Sequence, residues 1–262
     1  MEKILFIHDN SHRSRKALEF AISLADKLNS RLLLARTNIQ QHAGRVKVLA
    51  GNSGVQPATP ASHGSAEIEQ KTLSEINISA MDARELAQLV NKVGIGMIIK
   101  CATEYRMPGG LNLDTLMSHI YCPLLLIPGN WTIKDLQRIV YLADLRYCRN
   151  DITRYLTRLA RACGAQLSVA HLTKEGMVHI EEGYAHRLFE EQVKSQLKYD
   201  QLGFHYTRER DLIKATDVLI KGLQHNLLVM TRNRYHFNRL IGRSINDRLP
   251  SPVQVPLLIF PG

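Results

Sequence analysis

The sequence predicts an α/β protein built as two tandem, doubly wound parallel sheets of about five strands each. The first observation behind this prediction is a repeat. The run at 123–129 returns at 256–262, 133 residues later, and the apolar run that ends at Asp9 returns 135 residues later, ending at Asp144. The second is the alternation of short apolar runs with amphipathic segments, which is typical of βαβ units. The runs are continuously apolar, as in parallel sheets that helices cover on both faces.

Each half supplies five predicted strands in order. They lie at 5–9, 31–35, 76–81, 95–101 and 124–127 in the first half, and at 140–144, 166–172, 202–207, 226–231 and 257–260 in the second. Apolar residues at helical spacing predict the connecting helices, which lie at 17–28, 82–92, 152–163, 186–197 and 210–223.

The repeat divides the chain into domain 1, residues 1–131, and domain 2, residues 132–262. The turn residues Pro128, Gly129 and Asn130 mark the boundary. Domain 1 carries an insertion near 40–65 that is rich in Gly, Pro and Ser. This composition predicts a flexible loop, and the length of the connection leaves a functional loop open as well.

Composition restricts the class of protein. A chain of 262 residues with 45% hydrophobic and 22% charged residues is typical of soluble globular proteins. No apolar run approaches the 18 or so residues that span a bilayer, and the first residues lack the features of a signal peptide. We therefore expect a cytoplasmic protein without a membrane segment. The four cysteines show no CxxC spacing, so we expect reduced thiols.

The sequence contains no GxSxG elbow, no Walker-type loop and no HExxH motif, so we predict no catalytic residues and no enzymatic activity. Four histidines of the second half, His171, His179, His186 and His205, match no zinc spacing, and we predict no metal site. The formal charge of +10 raises the question of nucleic acid. Because no RNA-binding aromatic signature or helix-turn-helix is visible, we predict no nucleic-acid partner.

Ligands of an open parallel sheet bind beyond the carboxyl ends of its strands, where the strand order reverses. In a five-stranded wind this point lies between the first and fourth strands, next to Asp9 in domain 1 and Asp144 in domain 2. An aspartate there either contacts a ligand or caps the helix that follows. Both roles are open from the sequence.

The chain resembles the universal stress protein family. The resemblance rests on a first strand ending in Phe-Ile-His-Asp-Asn-Ser at 6–11, an Ala- and Leu-rich helix, and a closing Cys-Pro-Leu-Leu-Leu-Ile-Pro at 122–128, and it extends over both halves. It implies a five-stranded parallel fold in each half and pairing of the two domains through their last strands. It also implies, for many members, ATP held by a Gly-x2-Gly-x9-Gly-(Ser/Thr) loop after the fourth strand. ATP or another nucleotide is therefore the candidate ligand.

This loop departs from the family pattern in both halves. In domain 1, Gly110 aligns with the last glycine but Leu111 follows it. In domain 2, arginine and asparagine replace the first glycines, and the half carries +7 of the formal charge against +3 in the first. Because arginine forks bind phosphate, we predict that domain 2 holds a small anion; the alternative is a solvated basic helix face. The predicted ligand residues are Asp144, Arg232, Asn233, Arg234, Gly242, Arg243 and Ser244, with a secondary site at Asp9 and Gly110.

We predict that the protein is a binding and regulatory module of a stress response. Its domains would form a pseudo-dimer within one chain, with a homodimer as a further option, and its protein partners are unknown. One alternative is a switch protein that binds and slowly hydrolyses ATP through Asp144, Ser244 and the arginines. The other is a pseudo-dimeric scaffold without a ligand.

Overall fold

The computed structural model describes residues 3–9, 11–36, 74–102, 111–132, 135–173, 177–207, 211–242, 245, 249 and 253–262. The insertion predicted near 40–65 lies outside these residues. The domain boundary at 131 stays a prediction.

Ten strands and eight α-helices make up the described chain. The strands are β1 (Lys3–His8), β2 (Arg31–Arg36), β3 (Ser74–Asn77), β4 (Met97–Cys101), β5 (Leu124–Ile127), β6 (Arg138–Ala143), β7 (Gln166–His171), β8 (Leu202–Tyr206), β9 (Leu227–Thr231) and β10 (Leu257–Phe260). The helices are α1 (His12–Lys27), α2 (Ala83–Val93), α3 (Leu113–Met117), α4 (Asn150–Cys163), α5 (Glu182–Leu188), α6 (Ser195–Leu197), α7 (Leu212–Asp217) and α8 (Tyr235–Leu240). A 3₁₀ turn (Leu145–Tyr147) precedes α4, and π-helical turns follow α5 (Phe189–Lys194) and α7 (Val218–Gly222).

All ten strands belong to one sheet, in the order β3-β2-β1-β4-β5-β10-β9-β6-β7-β8. Neighbouring strands are parallel except β5 and β10, which run antiparallel and place Leu125 opposite Leu258. The two five-stranded halves therefore join through their last strands, as the resemblance implies. The predicted fold class, two tandem doubly wound parallel α/β units, is confirmed.

Alternating residues of each strand bury opposite faces of the sheet. Ile4 and Phe6 pack into one core layer, and Leu5 and Ile7 into the other, all of them at most 1% exposed. Helices cover both faces of the central strands, which explains why those runs are continuously apolar. No described helix is both long and apolar enough to cross a bilayer.

The third strand differs from its prediction. It was expected at 76–81 but lies at Ser74–Asn77. Asn77 ends it because its side-chain Oδ1 accepts a hydrogen bond from the backbone N–H of Ser79 at 2.9 Å, which turns the chain. Asp82 then caps α2 through the N–H groups of Arg84 and Glu85.

Candidate functional site

A cavity of about 430 Å³ opens at the carboxyl ends of β6 and β9 in the second half, and we call it the switch-point cavity. Strand β6 pairs with β7 on one side and with β9 on the other, so the strand order reverses here, at the predicted place. The residues that line it are Tyr141, Leu142, Ala143, Asp144, Tyr147, Met177, Thr231, Asn233, Arg234, Tyr235, His236, Asn238 and Arg239.

Asp144 follows β6 and is paired with Arg146. Its Oδ1 accepts hydrogen bonds from the backbone N–H of Arg146 at 3.1 Å and from Nε at 2.8 Å, and its Oδ2 pairs with Nη2 of the same guanidinium. Burial alone would raise the pKa of Asp144, but the hydrogen bonds and charge of Arg146 outweigh it and hold that pKa below its usual range. The carboxylate therefore caps the 3₁₀ turn and carries a charge that Arg146 compensates.

Two buried histidines support the strand ends beside Asp144. His171 is fully buried, and its Nδ1 accepts a hydrogen bond from the backbone N–H of Leu145 at 3.2 Å. His236 donates from Nε2 to the carbonyl of Leu172 at 2.7 Å. Burial lowers the pKa of both imidazoles. Both are therefore neutral at pH 7, and their hydrogen bonds hold the backbone around the cavity.

The turn after β9 keeps a glycine-like backbone without a glycine. Asn233 has a φ of 62°, in the left-handed region that glycine favours and that asparagine tolerates best among the other residues. Its side chain and that of Arg234 line the cavity. Gly242, with a φ of 102°, follows α8 and is absent from the lining. Asparagine at this position therefore costs less backbone strain than other non-glycine residues would.

Arg232 lies away from the cavity. Its Nη2 donates to Oδ1 of Asp114 in α3 of the first half at 2.8 Å, and its side chain is 11% exposed. Its Nε is buried without a hydrogen-bond partner among the described residues. Arg232 therefore joins the two halves through this ion pair and is absent from the lining of the switch-point cavity, and its contact with a ligand stays a prediction.

The other predicted residues are only partly described. In the first half, Asp9 Oδ1 accepts a hydrogen bond from the backbone N–H of Ser11 at 3.0 Å, which is the local turn role left open by the sequence. Gly110, Arg243 and Ser244 lie outside the described residues, and their participation stays a prediction.

Several lining residues are not among the predicted ligand residues. Tyr235, Asn238 and Arg239 occupy positions i, i+3 and i+4 of α8; the sequence already places Tyr235 and Arg239 in the basic segment expected at the crevice, whereas helical spacing is the signal for Asn238. No pattern in the sequence marks Tyr147 or Met177, which reach the cavity from the turn after Asp144 and from the loop after β7.

The charges of the cavity favour an anion. Arg234 and Arg239 are its cationic lining residues, while the negative charge of Asp144 is matched by Arg146. Tyrosine rings and the Met177 side chain supply apolar surface. Within the described ranges, no three His, Cys, Asp or Glu side chains are grouped so that they could hold a metal ion.

Known structures share this architecture. No protein-family model matches the chain, and no curated protein matches it by sequence. A structure assigned to the universal stress proteins, from Pseudomonas aeruginosa UCBPP-PA14, superimposes with a TM-score of 0.60 at 16% identity and covers 99% of this chain and 93% of its own. A universal stress protein from Archaeoglobus fulgidus DSM 4304 gives 0.57 at 12% identity over 98% and 97%. A protein of unknown function from Pseudomonas aeruginosa PAO1 gives 0.56 at 16% identity over 99% and 92%. The chain thus has the tandem universal stress protein fold.

Proposed function

We propose that this chain is a tandem member of the universal stress proteins and acts as a binding and regulatory module that holds a small phosphorylated ligand, with a nucleotide as the candidate. The observation that carries the proposal is the switch-point cavity with Arg234 and Arg239 in its lining. The role in a stress response rests on the fold and on the sequence resemblance.

The size and lining of the cavity support a ligand of nucleotide size. Its volume of about 430 Å³ falls within the range of roughly 300 to 1,000 Å³ that is usual for small-molecule sites. Guanidinium groups pair with phosphate oxygens through two parallel hydrogen bonds, while Tyr147 and Tyr235 offer ring surfaces to a base or sugar. Asn233 also lines the cavity and adds an amide that can donate and accept hydrogen bonds.

The electrostatics support binding over hydrolysis. A general base for water needs a pKa near the working pH, whereas the pKa of Asp144 is lowered and its oxygens are engaged by Arg146. The neighbouring His171 and His236 each use one ring nitrogen in a hydrogen bond with the backbone. These groups therefore stabilise the backbone around the cavity rather than accept a proton from water.

Thermal shift with ATP, AMP and inorganic phosphate tests the proposal. A ligand at about one hundred times its Kd adds about 2.7 kcal/mol of stability, which corresponds to a rise in Tm of roughly 5 to 10 °C in a chain of this size. We expect such a rise with at least one of the three. The double variant Arg234→Ala/Arg239→Ala should reduce it by at least half, because both guanidinium groups are lost.

Arg158→Ala is the matched control, since Arg158 is exposed on α4 and its loss removes a positive charge from the same half outside the cavity lining. It should keep the full shift. No rise with any of the three probes, or equal rises in the double variant and the control, would contradict the proposal. Phosphate release from ATP, measured in parallel, would favour the hydrolysing alternative.

A further inference from the structure

A second cavity, of about 390 Å³, opens at the opposite end of the strands, where β6, β7 and β8 begin, and we call it the amino-end groove. Its floor is one face of the sheet, formed by Gln166 and Ser168 of β7 and by Gln201 and His205 along β8. His225, just before β9, forms a wall, and the rings of His205 and His225 meet edge to face at 5.4 Å.

Among the described residues, the repeat shows that three groove positions of the second half are polar where the first half is apolar. When the strand pairings of the two halves are aligned, three polar positions of the groove correspond to apolar positions of the first half. Those apolar residues belong to the core or pack against it. The pairs are Leu33 and Ser168, Ile76 and His205, and Ile95 and His225. The second half has therefore exchanged a packed apolar surface for hydrogen-bonding groups beside an open volume.

The centre of the floor carries no side chain from β8. Gly203 lies opposite Ser168 in the β7–β8 register, and a side chain on Gly203 would place its Cβ 3.1 Å from the Ser168 Oγ. A molecule in the groove can thus approach the backbone of β8 and the hydroxyl together. Among the described residues the Ser168 hydroxyl, 7% exposed, makes no hydrogen bond.

The cation of the groove has a structural role that both halves share. Arg138 Nη1 donates to the carbonyl of Leu223 at 2.9 Å, and its counterpart Lys3 donates from Nζ to the carbonyl of Val93 at the same distance. Lys3 thus caps the carboxyl end of α2, which precedes β4. Arg138 caps the π-helical turn that precedes β9. The anion, Asp200, is exposed at the rim. The two opposite charges therefore do not select an ionic ligand.

The remaining groups can each donate and accept hydrogen bonds. Amides and hydroxyls do so by nature, and a neutral imidazole carries one donor and one acceptor nitrogen. Burial lowers the pKa of His205 and His225, so both rings are neutral at pH 7, and the Nδ1 of His225 is taken by the carbonyl of Leu219 at 2.8 Å. Alcohol groups have the same dual capacity. An anion, in contrast, would face acceptor nitrogens and Asp200, and a cation would face Arg138.

We propose that the amino-end groove is a binding site for a small uncharged polyhydroxylated molecule of monosaccharide size. Ser168, His205 and the two glutamine amides recognise its hydroxyl groups, and the exposed Leu223 contacts its C–H surface. This site is separate from the switch-point cavity and does not depend on the function proposed for that cavity.

Saturation-transfer difference NMR on the full chain, with glucose, ribose, myo-inositol and glycerol as separate millimolar probes, tests this site. At least one probe should receive saturation. The variant Ser168→Leu/His205→Ile restores the residue types of the first half and should weaken that binding at least tenfold. The milder Gln166→Ala, at a strand position that does not belong to the core, should weaken it about threefold to tenfold and remains informative if the double variant does not fold.

Absence of saturation transfer to all four probes would overturn the proposal, as would unchanged binding in both variants. Displacement of the bound probe by sodium acetate or inorganic phosphate, and not by a second polyol, would overturn the assignment to uncharged ligands. Nucleotides are left out of the experiment, so its failure says nothing about the switch-point cavity.

Discussion

Acidification from about pH 7 to about pH 5 is expected to lower the free energy of unfolding by roughly 1.4 kcal/mol per pH unit for each buried histidine that stays neutral in the folded protein. His171, His225 and His236 are at most 5% exposed, and burial lowers the pKa of all three. The unfolded chain, with histidine pKa values near 6.5, takes up these protons first. The contribution of these histidines to the free energy of unfolding is therefore fully present above about pH 6.5 and is lost as the pH falls toward the lowered pKa values of the folded state.

His171 should contribute to this effect. Its Nδ1 accepts a hydrogen bond from the N–H of Leu145. Protonation of that nitrogen would bring two hydrogen-bond donors, Nδ1–H and the Leu145 N–H, together at a fully buried position. The Asp144 carboxylate, 3.9 Å away, favours the charged imidazole, but burial outweighs it and Arg146 already engages this carboxylate. The pKa of His171 therefore stays low, and the neutral ring is the form that the fold requires.

Urea unfolding at several pH values measures the effect. His171→Asn keeps an acceptor for Leu145 and loses the titration, so its slope of stability against pH should fall, by at most about 1.4 kcal/mol per pH unit, whatever stability it loses at pH 7. The matched control is His12→Gln, because His12 is exposed at the start of α1. An unchanged slope in His171→Asn would contradict the prediction. The contribution of Asp144, whose pKa is lowered, is lost only below about pH 4 and is therefore separate.

The sequence predicts the fold well because its signals are local and repeated. Continuous apolar runs and helical spacing depend only on which faces are buried, and the repeat supplies each signal twice. The third strand was placed wrongly because the alternation of Ile76, Asn77 and Ile78 continues past the turn that the Asn77 side chain makes. A side-chain hydrogen bond of this kind leaves no trace in a hydrophobic pattern.

The candidate site was predicted in part, and the limit is the direction of side chains. Topology alone brings Asp144, Asn233 and Arg234 to one cavity. It does not reveal that Arg232, next to them in the same turn, pairs with Asp114 of the first half. Nor does it reveal that Arg146, two residues after Asp144, would engage the carboxylate. Contacts between residues this close in sequence are set by backbone conformation, which the residue types alone leave open.

Arg232 and Asp114 should make unequal contributions to stability. Asp114→Ala leaves a guanidinium that is 11% exposed and whose Nε has no hydrogen-bond partner in the described part of the chain, so we expect a loss of about 2 kcal/mol. Arg232→Met leaves a carboxylate that is 36% exposed and that water can solvate, so the loss should be about 1 kcal/mol or less. The double variant should lose less than the sum of the two. Asp217→Ala removes an exposed ion pair with Lys221 and serves as the control, with an expected loss below about 0.5 kcal/mol.

The same variants separate the roles of the arginines. If Arg232 joins the halves and Arg234 and Arg239 face the ligand, Arg232→Met should keep the Tm rise caused by ATP or phosphate to within about one third, although it starts from a lower Tm. The double variant Arg234→Ala/Arg239→Ala should show the reverse, with a small change in the Tm of the free protein and a reduced rise. Urea unfolding and thermal shift on the same preparations give both quantities. A larger loss of stability in Arg232→Met than in Asp114→Ala, or a ligand response in Arg232→Met as weak as in the double variant, would return Arg232 to the ligand site.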